Sequence, residues 1–428
     1  MSLETPAQTV PEAPGAPRKS LFKNRNFSLL AIGQAISIIG DFVYSTTLLV
    51  WVFVLTHSAV AVSGVLIAQY VPIFLLGPIA GVFVDRWNRR TTMIVTDLLQ
   101  MAVALLPLFI PGETRLVAIY TSVFLLSAFS RFFTPARAGV MQVIVAPEQQ
   151  TQAAAIGQAT FAIAVIIGPA IASPLFFAVG PIVAVLINAA SFLVSAFFLL
   201  GLRASRKELR PYTQSERSGI KAVGYELYAG LRLVATTRVL LVVVILVLIA
   251  MLGGGALNAL DIIFVSQRLH VSTSLYGPLT AFSGLGTLIG AILAGLIASR
   301  LKPRTILAGS VLLLGIGLVI YAFQTWYLAA IIVIFFSAIP QGGLDVGFAP
   351  LLLNSTPRAM MGRVQSVLET AIYGISLVSI ALAGYFGQFV PVFVIFAISG
   401  GLIALAGLFG WFALPRETTQ TRVTNSYE

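Results

Sequence analysis

Cysteine is absent from the 428 residues, and histidine occurs only at 57 and 270, both at segment ends. Thiol catalysis, disulfides and Cys-ligated metals are thereby excluded, and a His-rich metal site is not expected. Charge is scarce. Only 10% of the residues are charged, whereas a soluble domain carries about 25%, so a water-soluble globular protein is ruled out. No G-x-x-x-x-G-K-[S/T] loop occurs, which leaves ATP-driven work by this chain alone without support. No nucleophile–base constellation or metal cluster stands out, so the chain reads as a non-enzyme that needs no cofactor. Short alternating strands are missing as well, which argues against an outer-membrane barrel.

Long apolar runs take their place. Hydrophobic residues make up 58% of the chain, mean hydropathy is +0.96, and apolar runs of about 18 residues or more read as membrane-spanning helices. Twelve spans are expected at 27–55, 60–84, 92–110, 116–143, 154–178, 181–201, 238–266, 275–298, 305–323, 327–353, 364–388 and 391–414. The fold class is therefore an all-α membrane protein of twelve transmembrane helices. Residues 1–25 read as a disordered basic tail and not as a signal peptide. Residues 26–201 form one six-helix half and 238–414 a second. Between them, 202–237 is a polar, basic linker with an amphipathic helix near 217–235, and 415–428 form a short tail.

The net charge of +11 is mostly topological. With the N-terminus placed inside, the inner segments hold 22 of the 26 Lys and Arg residues, and the outer loops hold Arg115 and Arg268 only. Arg131 and Arg137 lie within the fourth span. This asymmetry puts both termini in the cytoplasm. It also makes the basic linker a headgroup-facing segment with no nucleic-acid role.

The chain repeats itself. Gly81-Val-Phe-Val-Asp85-Arg86-Trp-Asn88-Arg89-Arg90 follows the second span, and Gly295-Leu-Ile-Ala-Ser299-Arg300-Leu-Lys302-Pro-Arg304 follows the eighth, 214 residues later. A weaker echo pairs Ala146-Pro147-Glu148 with Thr356-Pro357-Arg358. Transporters are commonly built from such duplicated halves, with the substrate between them near the midplane.

These residues resemble the major facilitator superfamily. Gly81, Asp85, Arg86, Arg89 and Arg90 match its G-x-x-x-D-R-x-G-R-[R/K] signature, with Asn88 in place of the second Gly; Asn tolerates the left-handed conformation. The resemblance implies two pseudo-symmetric six-helix bundles. It also implies that this loop locks the cytoplasmic side of the outward-facing state. There Asp85 would cap the start of span eleven near Met361-Gly362-Arg363, and Arg89 or Arg90 would pair with Asp97. Gly168-Pro169 in span five looks like a worn antiporter motif, whose other glycines are Ala or Ser here. The Arg131-Phe-Phe-Thr-Pro135 stretch, Gly40-Asp41 and Met361-Gly362-Arg363-Val364 are similar to the third drug:proton antiporter family, its macrolide- and enterobactin-efflux branch.

Ionisable groups at bilayer depth are functional candidates by default. Five of the 15 acids fall within spans: Asp41, Asp97, Asp261, Asp345 and Glu369. Gln34, Ser37, Asp41 and Ser45 share one helical stripe, which would be prohibitive in lipid and so faces a cavity or a neighbouring helix. Desolvation favours the neutral form of a carboxyl, and this makes Asp41, with Glu369 and Asp345, the candidate proton carriers. The expected substrate cavity comprises Gln34, Asp41, Tyr44, Gln69, Arg131, Asn258, Asp261 and Tyr373, with Trp51, Phe74, Asn188 and Phe282 as further aromatic or polar candidates. Asn258 and Asp261 lie toward the outer end of span seven and read as an extracellular gate. The gate group is Gly81, Asp85, Arg86, Arg89, Arg90, Asp97 and Arg363.

The function expected from this combination is proton-driven efflux of small lipophilic compounds by rocker-switch alternating access, in a bacterial inner membrane. The expected partners are a small-molecule substrate and the lipid bilayer, and a monomer suffices. Aromatic residues and Gln suit lipophilic or cationic ligands. Alternatives are a lipid or siderophore exporter, an uptake symporter, and a non-transporting membrane receptor.

Overall fold

The structure is a computed structural model that describes residues 20–84, 86–203 and 220–415. Most of the expected N-terminal tail, the C-terminal tail from residue 416, the first part of the linker and Asp85 lie outside the described residues. Among those described, twelve helices are long and apolar enough to cross a membrane. The first six are α1 (Arg25–Thr56), α2 (Ala59–Val84), α3 (Arg89–Ala104, continued by the short turn Leu106–Phe109), α4 (Arg115–Ile144), α5 (Gln150–Val179) and α6 (Pro181–Leu200). Helix α7 (Ile220–Thr236) precedes α8 (Arg238–Ile263), α9 (Tyr276–Ile297), α10 (Pro303–Ala322), α11 (Tyr327–Ser355), α12 (Met361–Phe386) and α13 (Val392–Ala413). In hydrocarbon every backbone N–H and C=O must be satisfied within its own segment, which is why these apolar runs all become helices.

Helix ends follow local chemistry. The Asn24 side chain accepts from the amides of Asn26 and Phe27 and caps α1, and Pro181 and Pro303 open α6 and α10, where the missing N–H costs nothing. His57 and His270 have φ of 49° and 51° and are the two non-glycine residues with positive φ among those described. They stand 213 residues apart at the ends of equivalent helices, so the duplicated halves share even their turn geometry.

The packing repeats in the same way. In the first half α1 packs on α5 and α6, α2 on α4, and α3 on α4 and α6; in the second, α8 packs on α12 and α13, α9 on α11, and α10 on α11 and α13. Shifting every helix by one half reproduces the set, so the fold is two pseudo-symmetric six-helix bundles. Small residues let these helices touch, as expected where lipid offers no hydrophobic drive. A Cβ on Gly290 would strike the Ile339 carbonyl, and one on Gly342 would strike the Thr287 carbonyl, so α9 and α11 are interlocked at backbone distance.

The bundles meet through a second symmetric pair, α2 with α12 and α5 with α9. These contacts lie at the end that carries the 57–58 and 387–391 turns. Gly384 faces Ser63, Gly387 faces Ala59, and Gly277 abuts the Pro169 carbonyl and Ser173. At the other end, where residues 20 and 415 emerge, the same four helices separate. A Cβ added at Gly77, Gly81, Gly157, Gly295 or Gly362 would meet nothing within 4 Å. The molecule is closed at one end and splayed at the end bearing its termini.

Candidate functional site

Two neighbouring cavities lie close to the seam between the bundles. The larger, about 330 Å³, lies within the second bundle, walled by α8 to α13, and Tyr70 of α2 closes it on the side of the first. Asn258, Asp261, Tyr276, Tyr321, Gln341 and Tyr373 are among its polar residues, beside four Ser and Thr hydroxyls. The Tyr321 hydroxyl donates to Oδ1 of Asp261 at 2.9 Å. Toward the closed end Phe264 stacks on Phe396 at 5.0 Å and lies 4.7 Å from Tyr321, which roofs the cavity with aromatic rings. Helix α8 passes into a π-turn at Phe264–Arg268, immediately after Asp261; such turns widen the helix and recur at functional sites.

The second cavity, about 250 Å³, lies nearer the open end, between α2, α4 and α12, and is lined by Arg131, Glu369, Gln365, Ser366, Thr370, Ile73 and Tyr373 among others. Tyr373 lines both cavities and packs edge-on against Tyr70 at 5.6 Å and 89°. This pair, one ring from each bundle, stands between the chambers. Asp345 is exposed one turn beyond Gln341 toward the open end.

The structure brings some expected residues together and separates others. Asn258, Asp261 and Tyr373 share the larger cavity. Both Asn258 and Asp261, expected in the substrate cavity and toward an outer gate, line this chamber. Arg131, Glu369 and Tyr373 share the smaller one. Gln34 lies elsewhere, with Arg137 in a crevice of about 30 Å³ between α1, α4 and α5. Tyr44 is buried, and its hydroxyl bonds to Ser122 Oγ at 2.7 Å and to the Ala104 carbonyl at 3.1 Å, so it ties α1 to α3 and α4 and presents no free group to a ligand. Gln69 is half-buried on α2, and its backbone carbonyl accepts from Ser127. Trp51 lies beneath the Arg115 guanidinium at 5.4 Å at the closed end. Phe74 packs against Gly374, and Phe282 is exposed.

Asp41 is solvent-accessible although it stands in the middle of α1. Neighbouring Gly40 packs against Asn188 and Ser191 of α6, and Phe42 packs against Gly168 of α5. The Asp41 carboxyl lies beside Asn188, whose amide nitrogen has no hydrogen-bond partner. Gly168 and Pro169 occupy a structural junction: Gly168 admits Phe42, and the Pro169 carbonyl meets Gly277 across the bundle seam.

The gate motif is corrected in three places. Arg89 donates to the Gly139 carbonyl at 3.2 Å, and Arg90 donates to the carbonyls of Leu199 and Leu200 at 2.9 and 2.6 Å. Neither reaches Asp97, because the C-terminal carbonyls of a helix attract cations and Asp97 sits about two turns deeper in α3. There it is 1% exposed, beside Ser195, with one carboxylate oxygen unpartnered. Asn88 is not left-handed: its φ is −70° and its side chain accepts from the Thr91 amide, so it caps α3. Arg363 donates to the Met360 sulfur, and a Cβ on Gly81 or Gly362 would meet nothing within 4 Å. Asp85 lies outside the described residues. Arg86 is exposed.

Sequence reasoning missed Tyr70, Tyr276, Tyr321 and Gln341. The available signal was Asp261 itself: a carboxyl among apolar helices needs a donor, and few tyrosines lie at matching depth.

Comparison with known proteins places the chain. A family profile described as "transmembrane secretion effector" matches residues 17–427. The chain is 24% identical to the MFS-type transporter YfiS of Bacillus subtilis over 90% of its length and 92% of the relative. It is 25% identical to macrolide efflux protein A of Streptococcus pyogenes over 69% of its length and 72% of that protein. A shorter match, 30% identical, covers 46% of the chain and 50% of the putative bacilysin exporter BacE of Bacillus subtilis. Among solved structures, the nucleoside transporter NupG superposes with a TM-score of 0.73 at 12% identity, covering 91% of this chain and 100% of that one. A bacterial homologue of the iron transporter ferroportin in an inward-facing state gives 0.70 at 14% identity, covering 92% and 99%.

Proposed function

Because the chain belongs to the transmembrane secretion effector family of the major facilitator superfamily, we propose that it exports small lipophilic compounds from the cytoplasm in exchange for protons. The observation that carries this reading is the larger cavity of the second bundle, which faces the first through Tyr70 and carries Asp261 and Asn258 in its wall. Its tyrosine walls suit an apolar or aromatic ligand, and Asp261 gives one end a preference for positive charge. The names of two relatives, a macrolide efflux protein and a bacilysin exporter, point in the same direction. With the termini placed in the cytoplasm by the 22-to-2 division of Lys and Arg, the open end is the loading end.

The cycle follows from charge and volume. A ligand enters from the cytoplasm past the Tyr70–Tyr373 pair. Separation of α5 from α9 and of α2 from α12 at the sealed end, with closure at the cytoplasmic end, exposes the ligand to the outside. An ionised carboxyl in a cavity that closes loses its water, and either a proton or a bound ligand offsets that cost. Asp41, accessible in mid-helix beside an unpartnered amide, is the proton carrier in this reading. Proton and ligand shift the two-state equilibrium only through their differential affinity for the two states.

The test is proton movement in inside-out vesicles that hold an imposed pH gradient, with macrolides, tetracyclines and lipophilic cations added in turn. Ligand-triggered proton release by the native chain, lost in Asp41→Asn, is expected. Release that survives the substitution transfers the proton to Asp345 or Glu369. Silence across the panel overturns the export reading.

A further inference from the structure

The smaller cavity holds a feature that export of neutral lipophilic compounds leaves unused: one full positive and one full negative charge, on opposite bundles, facing the same space. Arg131 lies eight residues before Gly139 on α4, and Glu369 lies eight residues after Met361 on α12. Glu369 stands about 12 Å, or two helical turns, in from the start of α12, and Arg131, 13 residues before the end of α4, about 20 Å in. Both line the 250 Å³ chamber, and a sphere of that volume is about 8 Å across, the size of a small ligand and not of a direct ion pair. The two do not neutralise each other. Glu369 accepts from Gln365 of its own helix at 3.3 Å. The Arg131 Nε is buried and has no hydrogen-bond partner.

Glu369 is exposed to the open chamber and Arg131 is half-buried; a charge that lacks a counter-charge becomes costly when a closing cavity expels its water. A neutral ligand would leave both costs standing. A ligand with a carboxylate at one end and an ammonium at the other removes both at once, because a guanidinium takes a carboxylate through paired N–H donors and Glu369 takes the ammonium. We infer that the smaller cavity is a subsite for the charged backbone of a small zwitterion, an amino-acid-like or dipeptide-like compound, with Arg131 binding its carboxylate and Glu369 its ammonium. Its apolar side chain then points past Tyr373 into the larger chamber. The subsite rests on the reading of the chain as an exporter of small compounds, and it narrows the substrates to amphiphiles with a zwitterionic head.

The full chain in lipid nanodiscs would be titrated calorimetrically with the dipeptide Phe-Phe, its N-acetyl form, its C-terminal amide and the doubly capped neutral compound. Phe-Phe is expected to bind tightest, with each cap weakening binding about tenfold or more. In Arg131→Gln the preference for the free carboxylate disappears while that for the free amine persists; in Glu369→Gln the reverse holds. Arg131→Lys, which keeps the charge, retains part of the carboxylate preference. Even binding across the native series, as expected if the two charges only lock the bundles together, overturns the subsite, and this result does not depend on any variant folding. Equal losses for all four ligands in both variants also overturn it. The vesicle assay separates the two claims. Even binding with macrolide-triggered proton release removes the subsite and keeps the exporter. Selective dipeptide binding with no release for any compound keeps the subsite and removes the exporter.

Discussion

Gly277 offers a direct handle on the proposed two-state behaviour. It sits in the first turn of α9, where a Cβ would strike the Pro169 carbonyl of α5 and lie 2.8 Å from Ser173 Oγ. Gly277→Ala therefore wedges the sealed end of one bundle contact and leaves the opposite state, in which that contact is broken, untouched. Overpacking of this kind costs about 1–3 kcal/mol, which displaces a two-state equilibrium by about 5- to 150-fold. The reporter belongs on the other contact. Ser63 of α2 is 2% exposed and packs against Gly384 of α12. Because the chain has no cysteine, Ser63→Cys introduces a unique thiol, and its labelling by an impermeant maleimide measures the fraction of molecules open at this end. The labelling rate should rise within that range when Gly277→Ala is added. It should not change with Gly295→Ala, where a Cβ meets nothing within 4 Å. An unchanged Ser63→Cys rate in a folded, monodisperse Gly277→Ala protein would refute the coupling of the two contacts.

Four further outcomes follow from the packing. Tyr321→Phe removes the hydroxyl that donates to Asp261 and should cost about 1–3 kcal/mol; a melting temperature in detergent identical to that of the native chain would contradict this. Gly342→Val drives a branched side chain into the Thr287 carbonyl and the Ala291 amide and should destabilise by about 1–3 kcal/mol or more. Gly401→Ala, with open space beside it, should leave the melting temperature unchanged or raise it. Arg90→Ala and Asp97→Asn should be additive in stability to within about 0.5 kcal/mol, since Arg90 serves the Leu199 and Leu200 carbonyls and Asp97 lies beside Ser195. A coupling well above that would restore the ion pair that the structure removes.

The membrane fold was legible because its signal is one-dimensional. A span is a length of apolar chain, and the expected 27–55, 181–201 and 327–353 run as Arg25–Thr56, Pro181–Leu200 and Tyr327–Ser355. The duplication was legible at Gly81 and Gly295 for the same reason. Which wall a residue faces was harder to read, because depth along a helix fixes position along one axis only. Asp261 and Asn258 were placed in a substrate cavity and line the larger chamber, whereas Gln34, placed there too, lies in a separate crevice. Tyr44 looked like a cavity residue until Ser122 and Ala104 were found to hold its hydroxyl. Arg89 and Arg90 were matched to Asp97 by charge, whereas the nearer partners were main-chain carbonyls, which carry no residue-type signal. Tyr321 and Tyr70 went unread because their roles depend on partners 60 and 303 residues away.

Alternating access requires that one cavity, walled by the second bundle and Tyr70 of the first, be reached in turn from the two faces of the membrane. Asn258 lines that cavity, and Asn258→Cys would carry the chain's single thiol. Its labelling by an impermeant maleimide should be measured in inside-out and right-side-out vesicles, with and without a transported compound and a pH gradient. Labelling from both faces is expected, with a ratio that shifts with gradient and ligand and with protection at saturating ligand. Labelling from one face alone under every condition would contradict alternating access.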